Sequence, residues 1–386
     1  MTLNRLRRLH DDERGMSLVF VGLGMMGFLA ATTLAIDVGM LMTARTQAQT
    51  SADSGALAGA TALAFNDFND RSPSGPAVQS TVNSALANVV IGAPVSVGPG
   101  DVTFPNDPSG VADRVHVQVY RTAARGNPLS TLMAQLIGID TADISAAATA
   151  EASPANAETC VKPFTIPDRW TENQTGPWDP TDTFDMYDNK GNLLPNADVY
   201  VPADQPGYTG YNAQTDKGLE ITLKANNGDK VSPSFYNPWD LPGSTGGEDY
   251  RNNIDTCNTA IVPIGSPMTA EPGNMVGPTA EGTQDLVARD PNAYWDTTCN
   301  CVQGSAYGGN SPRIAIIPVY DPAYYATGKA NGRNAALKVA NYIGFFIEQM
   351  NGNEVVGRIT PVAGIFAGNG GPAPAGAFPR VIRLVE

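Results

Sequence analysis

The stretch "ERGMSLVFVGLGMMGFLAATTLAID" occupies residues 13–37 and holds 22 uncharged residues between Arg14 and Asp37. A bilayer core about 30 Å thick requires roughly 20 apolar residues in a helix. A cleaved secretory signal has a shorter apolar core of about 7–15 residues and a small-residue cleavage site. The stretch therefore predicts a membrane-spanning helix rather than a removable signal.

The basic residues predict how this helix is oriented. Arginines precede the apolar run at Arg5, Arg7, Arg8 and Arg14, and the first basic residue after it is Arg45. Basic residues that flank a span favour the cytoplasmic side. We therefore expect a cytoplasmic basic tail at residues 1–14, a single crossing of the inner (cytoplasmic) membrane, and export of the body to the periplasm or cell surface.

The charge of the chain limits its partners. The net charge is −14, and because residues 1–14 carry +1, the residues from Asp37 onward carry −15. An acidic body is repelled by phosphate backbones, so we expect no nucleic-acid partner. The 40 Gly and 30 Pro residues predict a body rich in strands and loops.

Sequence patterns predict an α+β fold in several parts. A transmembrane and stalk helix is expected over 15–64, about 75 Å long at 1.5 Å per residue. A small α+β domain follows over 77–152, with helices starting at 77 and covering 128–138, and strands at 114–122 and 142–152. A β-rich domain is expected over 160–386, with one helix at 279–289 that Thr279 caps. Its last 75 residues hold four candidate strands, which predict an antiparallel sheet closing the fold.

Small residues recur every fourth position along the predicted span. We call Gly27, Ala31, Ala35 and Gly39 the small-residue ridge. Such spacing lets two helix backbones approach closely in lipid, although glycine is also simply common in membrane helices. Ala48, Ala52, Gly55 and Gly59 continue the pattern beyond the span.

The four cysteines all lie in the body, at Cys160, Cys257, Cys299 and Cys301. An even number in an exported domain predicts two disulfides and a disulfide-stapled body. Three pairings are open. Two residues that are two apart in an extended strand lie near the upper distance limit for a bridge, which favours Cys299 and Cys301 each reaching Cys160 or Cys257. A metal site is the less economical alternative, because His116 is the only histidine of the body.

The sequence offers little catalytic chemistry. His116 lies within an alternating strand pattern and is expected to be structural. The segment "DMYDNKGN" at 185–192 places Tyr187 where a calcium ligand is needed, so we interpret it as a turn. We therefore predict no enzyme activity, no cofactor and no metal site.

The tryptophans Trp170, Trp178, Trp239 and Trp295 lie in loop-like segments. Exposed indoles could stack on sugars, giving a glycan or surface contact, whereas buried indoles would form small cores beneath long loops. Small cores are the simpler interpretation.

Residues 14–60 carry a family likeness. The Arg14-Gly15 pair, Asp37 after the span, and the alanine-rich block from Ala52-Asp53 to Ala60 resemble the amino-terminal segment of TadE/TadG-like proteins of tight-adherence (Flp) pilus systems, with TadG the nearer of the two. The resemblance implies a small pilin-like unit after the span and a processing point between Gly15 and Met16. Type IV pilins carry Glu five residues after the processing glycine, and this chain has Phe20 there.

The resemblance implies a non-enzymatic envelope protein that assists assembly or anchoring of an adhesive pilus. Its expected partners are other pilus-system membrane proteins or pilin helices. Two alternatives remain open. A membrane-tethered surface adhesin would bind glycans through its tryptophans, and a tethered hydrolase would need a cleft with two or more acidic residues.

The arginine asymmetry gives a testable prediction. Alkaline phosphatase fused after residue 70 should be active in cells, because the enzyme folds only outside the cytoplasm. A cytoplasmic reporter at the same position should be inactive. The opposite result for the two reporters would contradict the predicted orientation.

Overall fold

The computed structural model describes residues 14–226, 228, 230–330 and 336–385. The predicted tail, 1–14, therefore lies almost entirely outside the described residues. The amino-terminal helix is followed by a helix and strands that pack along its second half. The elements of this part are α1 (Arg14–Phe65), α2 (Pro76–Ala87), β1 (Val89–Val90), β2 (Ala93–Pro94), β3 (Val102–Thr103), β4 (Arg114–Arg121), β5 (Leu129–Ser130), β6 (Thr141–Ala142) and β7 (Ile144–Pro154).

The remaining residues form the β-rich part, with short helices on its surface. Its elements are β8 (Ala157–Glu158), β9 (Phe164–Pro167), β10 (Glu220–Ala225), β11 (Phe235–Asp240), α3 (Gly246–Asp255), β12 (Val262–Pro263), β13 (Pro267–Ala270), α4 (Val276–Arg289), β14 (Tyr294–Asp296), β15 (Cys301–Gln303), β16 (Ile314–Tyr320), α5 (Pro322–Ala330), β17 (Leu337–Asn351), β18 (Glu354–Thr360), β19 (Val362–Ala363) and β20 (Pro379–Val385). The predicted α+β class is confirmed.

The helix α1 is unbroken for 52 residues. It contains no proline, and alanine, leucine and methionine supply favourable helix propensity. It ends at Phe65, where Asn66, Asp67 and the following Asx turn take over the backbone hydrogen bonds. The helix predicted for 15–64 is thus one continuous element.

A five-stranded sheet covers the second half of α1. We call it the stalk sheet, and its strand order is β19-β20-β7-β4-β3. Alanines of α1 at every fourth position, Ala44, Ala48, Ala52, Ala56 and Ala60, are buried against this sheet and against α2. Side chains this small let the helix axis lie close to the neighbouring backbones, so the core is thin and closely fitted.

Six strands of the β-rich part close into a barrel. The pairings run β10–β18–β17–β16–β9–β11 and return from β11 to β10. Closure leaves few strand edges open to other chains. The helices α3 and α4 pack on each other, and buried Tyr250 and Leu286 from them join one barrel core.

The last strand contradicts the expected antiparallel sheet of four carboxyl-terminal strands. The strand β20 pairs with β7 of the stalk sheet, from Arg380 opposite Pro154 to Val385 opposite Thr149. The edge of β7 is free to accept β20, and Arg380 is buried there with hydrogen bonds to the carbonyls of Ala152 and Ala375. The chain therefore crosses the boundary expected between 77–152 and 160–386.

Two helix predictions need correction. The segment 128–138 is not an α-helix: Leu129–Ser130 pairs with Thr141–Ala142, and only Ala134–Ile137 forms a 3₁₀ turn. The helix predicted at 279–289 begins earlier, at Val276, so Thr279 is not its cap. Thr279 is buried instead, and its hydroxyl lies 3.2 Å from that of Tyr250.

The close contact at Gly59 predicts a stability effect. A Cβ at Gly59 would lie 2.0 Å from Thr81 Oγ1 and 2.8 Å from Val115 Cγ1. Gly59→Ala should therefore lower the free energy of unfolding by about 1–3 kcal/mol despite alanine's better helix propensity. Urea denaturation of the full chain in detergent measures the change.

The matched control is Gly39→Ala on the same helix, where an added Cβ would meet nothing within 4 Å. This variant should be neutral or slightly stabilised. Equal stability of the two variants would show that α1 does not pack at Gly59 as described.

Candidate functional site

The first part of α1 projects from the body, and no side chain of residues 17–36 is buried. Its large apolar side chains are exposed, among them Leu18 at 77%, Phe20 at 68% and Phe28 at 70%. Among the described residues, α1 is the one helix with the length and hydropathy to cross a membrane. An apolar helix bare on all sides fits a single-pass membrane anchor.

The small-residue ridge lies on this bare half. An added Cβ at Gly27 or Gly39 would meet nothing within 4 Å, and Ala31 and Ala35 are exposed. The continuation of the pattern behaves differently, because Gly55 and Gly59 lie against α2 and β4. The packing role expected for the ridge itself would thus require a partner outside the described residues.

Asp37 lies between the exposed first part of α1 and the part that packs against the body. Its carboxylate is 5% exposed and accepts backbone N–H groups from Leu132, Met133 and Ala134 at 2.5–3.1 Å. Three donors to one carboxylate offset its burial. We call this arrangement the Asp37 clamp, because it fixes α1 to residues almost a hundred positions later in the chain.

Further polar contacts fix the register of α1 on the body. Ser51 Oγ donates to the Ala85 carbonyl at 2.8 Å, and Gln49 Nε2 donates to the Ala147 carbonyl at 3.0 Å. At the far end of α1, the Lys217 ammonium donates to the carbonyls of Phe65 and Asn66. The helix is thereby held to α2, to β7 and to the β-rich part.

The cysteines pair differently from the favoured expectation. Cys160 bonds to Cys257, 97 residues away, and Cys299 bonds to Cys301. The pairing becomes feasible because Asn300 has a left-handed backbone, φ +52°, which folds the chain and brings the Cα atoms of Cys299 and Cys301 to 5.2 Å. The preference for long-range bonds from both residues was wrong.

The tryptophans are mostly buried. Trp170 and Trp239 are each 2% exposed, and Trp295 is 8% exposed. Trp178 is partly exposed, and its ring packs edge-on against Trp170 and Tyr211. These indoles form cores beneath the loops, so a sugar-stacking surface built from them has no structural support.

A cleft of about 350 Å³ lies between the stalk sheet and the loop 366–375, and Asp107, Asp113 and Glu151 line it. Glu151 pairs with Arg114 at 2.6 Å and with Arg383 at 3.1 Å. Burial acts to raise the pKa of Glu151, but hydrogen bonds from Ser153 and the two arginines outweigh it and hold the pKa below its usual value.

The other two carboxylates of the cleft differ in their environment. Asp107 accepts hydrogen bonds from Ser109 and Val111 of its own turn. Burial, reinforced by the charges of Glu151 and Asp107, raises the pKa of Asp113 to about 6. The cleft assembles the acidic residues that a hydrolase would require, yet two of the three are held by strong local partners. His116 lies outside it, and its Nδ1 is 2.9 Å from Thr149 Oγ1.

The exposed first part of α1 and its packed continuation fit a protein anchored by one amino-terminal segment. Residues 15–62 match the family model described as putative Flp pilus-assembly TadE/G-like. No curated protein and no solved structure matches the chain. The resemblance drawn from residues 14–60 is therefore confirmed, while the nearer likeness to TadG stays a prediction. The matched segment supports involvement of the chain in a tight-adherence (Flp) pilus system.

The Asp37 clamp generates a prediction. Asp37→Ala would leave three backbone N–H groups unpaired, at about 1–3 kcal/mol for each group that stays buried. Amides 132–134 should then exchange with deuterium faster, and the body should unfold at a lower urea concentration. Hydrogen exchange with mass spectrometry measures the first effect.

Asp53→Ala is the control, because the Asp53 carboxylate accepts its hydrogen bond from Gln49 on the same helix. It should leave exchange at 132–134 unchanged. Equal protection of these amides in the wild type and in Asp37→Ala would refute the clamp.

Proposed function

We propose that this chain is a non-enzymatic envelope protein that assists assembly or anchoring of a tight-adherence (Flp) pilus. In this proposal the amino end is cytoplasmic, α1 crosses the inner membrane, and the body is exported. The observation that carries the proposal is the division of α1: residues 44–63 pack within the chain, whereas no side chain of residues 17–36 is buried, and these residues belong to a segment that matches the TadE/G-like model.

The partners in this proposal are membrane helices of the pilus system, including pilin helices. The small-residue ridge supports this choice, since Gly27 and Ala31 lack side chains that would keep a second backbone at a distance. The attachment of α1 to the body also supports this choice of partner. A helix that is held by Asp37 and by α2 transmits its orientation in the membrane to the body outside.

The two alternatives receive less support. A glycan-binding adhesin would need exposed indoles, and three of the four tryptophans are buried. A tethered hydrolase would need free acid and base groups, and in the acidic cleft Glu151 is neutralised by two arginines. Among the three carboxyl groups of this cleft, Asp113 has a raised pKa, but its side chain is buried.

Enlarging the ridge tests the proposal. Gly27→Leu together with Ala31→Leu keeps the segment apolar, so membrane insertion should survive. The larger side chains should keep partner helices apart, and cross-linked complexes with other pilus-system proteins should be lost. Cross-linking in membranes, followed by mass spectrometry at equal protein abundance, gives the measurement.

The matched control is Gly22→Leu together with Thr33→Leu. At 3.6 residues per turn these positions lie on roughly the opposite side of α1 from the centre of the ridge, and neither is buried. The control should retain the complexes. If both double variants retain them, the ridge is not a packing surface; if both lose them, the effect is not specific to the ridge.

A further inference from the structure

An uncharged, apolar loop lies beside the end of the bare helix. The apolar loop is the nine-residue segment "TLMAQLIGI", residues 131–139, between the hairpin strands β5 and β6. Leu132 is 58% exposed and Ile139 is 52% exposed. Thr131 donates hydrogen bonds to the carbonyls of Ile139 and Asp140, which brings the two ends of the loop, with Leu132 and Ile139, beside each other as one apolar patch.

The register of the stalk sheet places this loop at the end of the body that faces the bare helix. Val115 of β4 lies at Gly59 of α1, and Val117 lies at Gly55, so β4 runs back along α1 toward the bare half. The chain then continues from Arg121 into the β5 hairpin and the apolar loop. The Asp37 clamp holds the loop at the level where the apolar run of α1 ends.

The level of Asp37 is also where the bilayer surface is expected. Residues 15–36 give 22 residues of helix, about 33 Å at 1.5 Å per residue, which matches a hydrocarbon core of about 30 Å. With that core around residues 15–36, the loop lies at the lipid headgroups. The position of the loop is set by the end of the predicted span. Because the patch is continuous with that span, lipid is the expected occupant of the patch.

The hydrogen bonds of the loop also suit an environment of low polarity, in which an unpaired backbone N–H or C=O group is costly. The N–H groups of Leu132, Met133 and Ala134 bond to Asp37. Those of Thr131, Gly138 and Ile139 bond to carbonyls of residues 140, 135 and 134. The Thr131 hydroxyl bonds to the Ile139 carbonyl, and the Gln135 amide bonds to the Thr131 carbonyl. Most polar groups of the loop are thus satisfied without water.

We infer that the apolar loop is a second membrane contact, with Leu132 and Ile139 inserted among the lipid headgroups and upper acyl chains of the leaflet from which α1 emerges. The inference rests on the proposed membrane anchoring and goes beyond it, because anchoring alone needs no contact between body and lipid. Two contacts, the span and the loop, fix the tilt and rotation of the body on the membrane. Residues 131–139 carry no charge; Asp140, which follows them, is exposed, and the Asp37 carboxylate beside them is buried and hydrogen-bonded.

The test uses the full chain in vesicles of phosphatidylcholine with a minor share of phosphatidylglycerol. Leu132→Cys is labelled with an environment-sensitive nitrobenzoxadiazole dye, since the four native cysteines are disulfide-bonded. Ile139→Cys is a second, independent labelling site in case the first variant does not fold. We expect blue-shifted emission from both and strong quenching by lipids that carry a doxyl group near the headgroup.

Val89→Cys is the matched control. Val89 is an aliphatic residue with 54% exposure, two residues before Ile91, whose N–H bonds to Gln47 of α1. Gln47 lies ten residues beyond Asp37, about 15 Å farther from the bilayer along the helix. A label at position 89 should emit as in water and resist doxyl quenching.

The outcomes separate this inference from the anchoring proposal. Resistance of the protein to alkaline extraction with water-like emission at 132 and 139 would overturn the loop contact and leave the anchor intact. Blue-shifted emission without doxyl quenching would mean that protein rather than lipid covers the patch, which also overturns it. Extraction of the whole protein by alkali would instead refute the membrane anchor.

Discussion

The structure depends on the packing of α1 against the stalk sheet and α2. Small residues such as Ala48, Ala52 and Gly59 lie where α1 approaches the neighbouring backbones, and at Gly59 an added Cβ would lie 2.0 Å from Thr81 Oγ1. Without this contact α1 would not be packed against the body, and β4 and β7 would lose the surface that buries their apolar face. One helix therefore serves both as anchor and as the central core element of the adjoining unit.

The Asp37 clamp lies where α1 passes from its exposed apolar part to the part that is packed in the body. A buried carboxylate next to an apolar segment carries a large desolvation cost unless its charge is met by hydrogen-bond donors. Here the donors are main-chain N–H groups of a turn that is itself apolar. The same bonds keep 132–134 from needing water and fix the direction in which α1 leaves the body.

The sequence correctly predicted those helices and strands that depend on neighbouring residues in the chain. The length of α1 follows from a proline-free run, and β4 follows from the alternation of Val115, Val117 and Val119. The 128–138 segment was misjudged because proline and glycine at its ends suggest a helix, whereas Asp37, far away in the chain, binds the N–H groups that a helix would use. The Cys299–Cys301 bond depends on the backbone angle of Asn300, which spacing alone does not reveal. The clamp, the acidic cleft and the partner of β20 are likewise products of contacts between distant residues.

The position of β20 has a consequence for how the protein matures. The strand that completes the stalk sheet comes from residues 379–385, so β7 has an open edge until these residues have been synthesised and, in the proposed topology, exported. The span would be inserted long before that, and chain closure over more than 200 residues is slow compared with local folding. During that interval the edge of β7 can pair with a strand from another chain. In that topology the stalk unit stays unfinished after the span is inserted, and the late pairing of β20 with β7 sets the moment at which its sheet is complete.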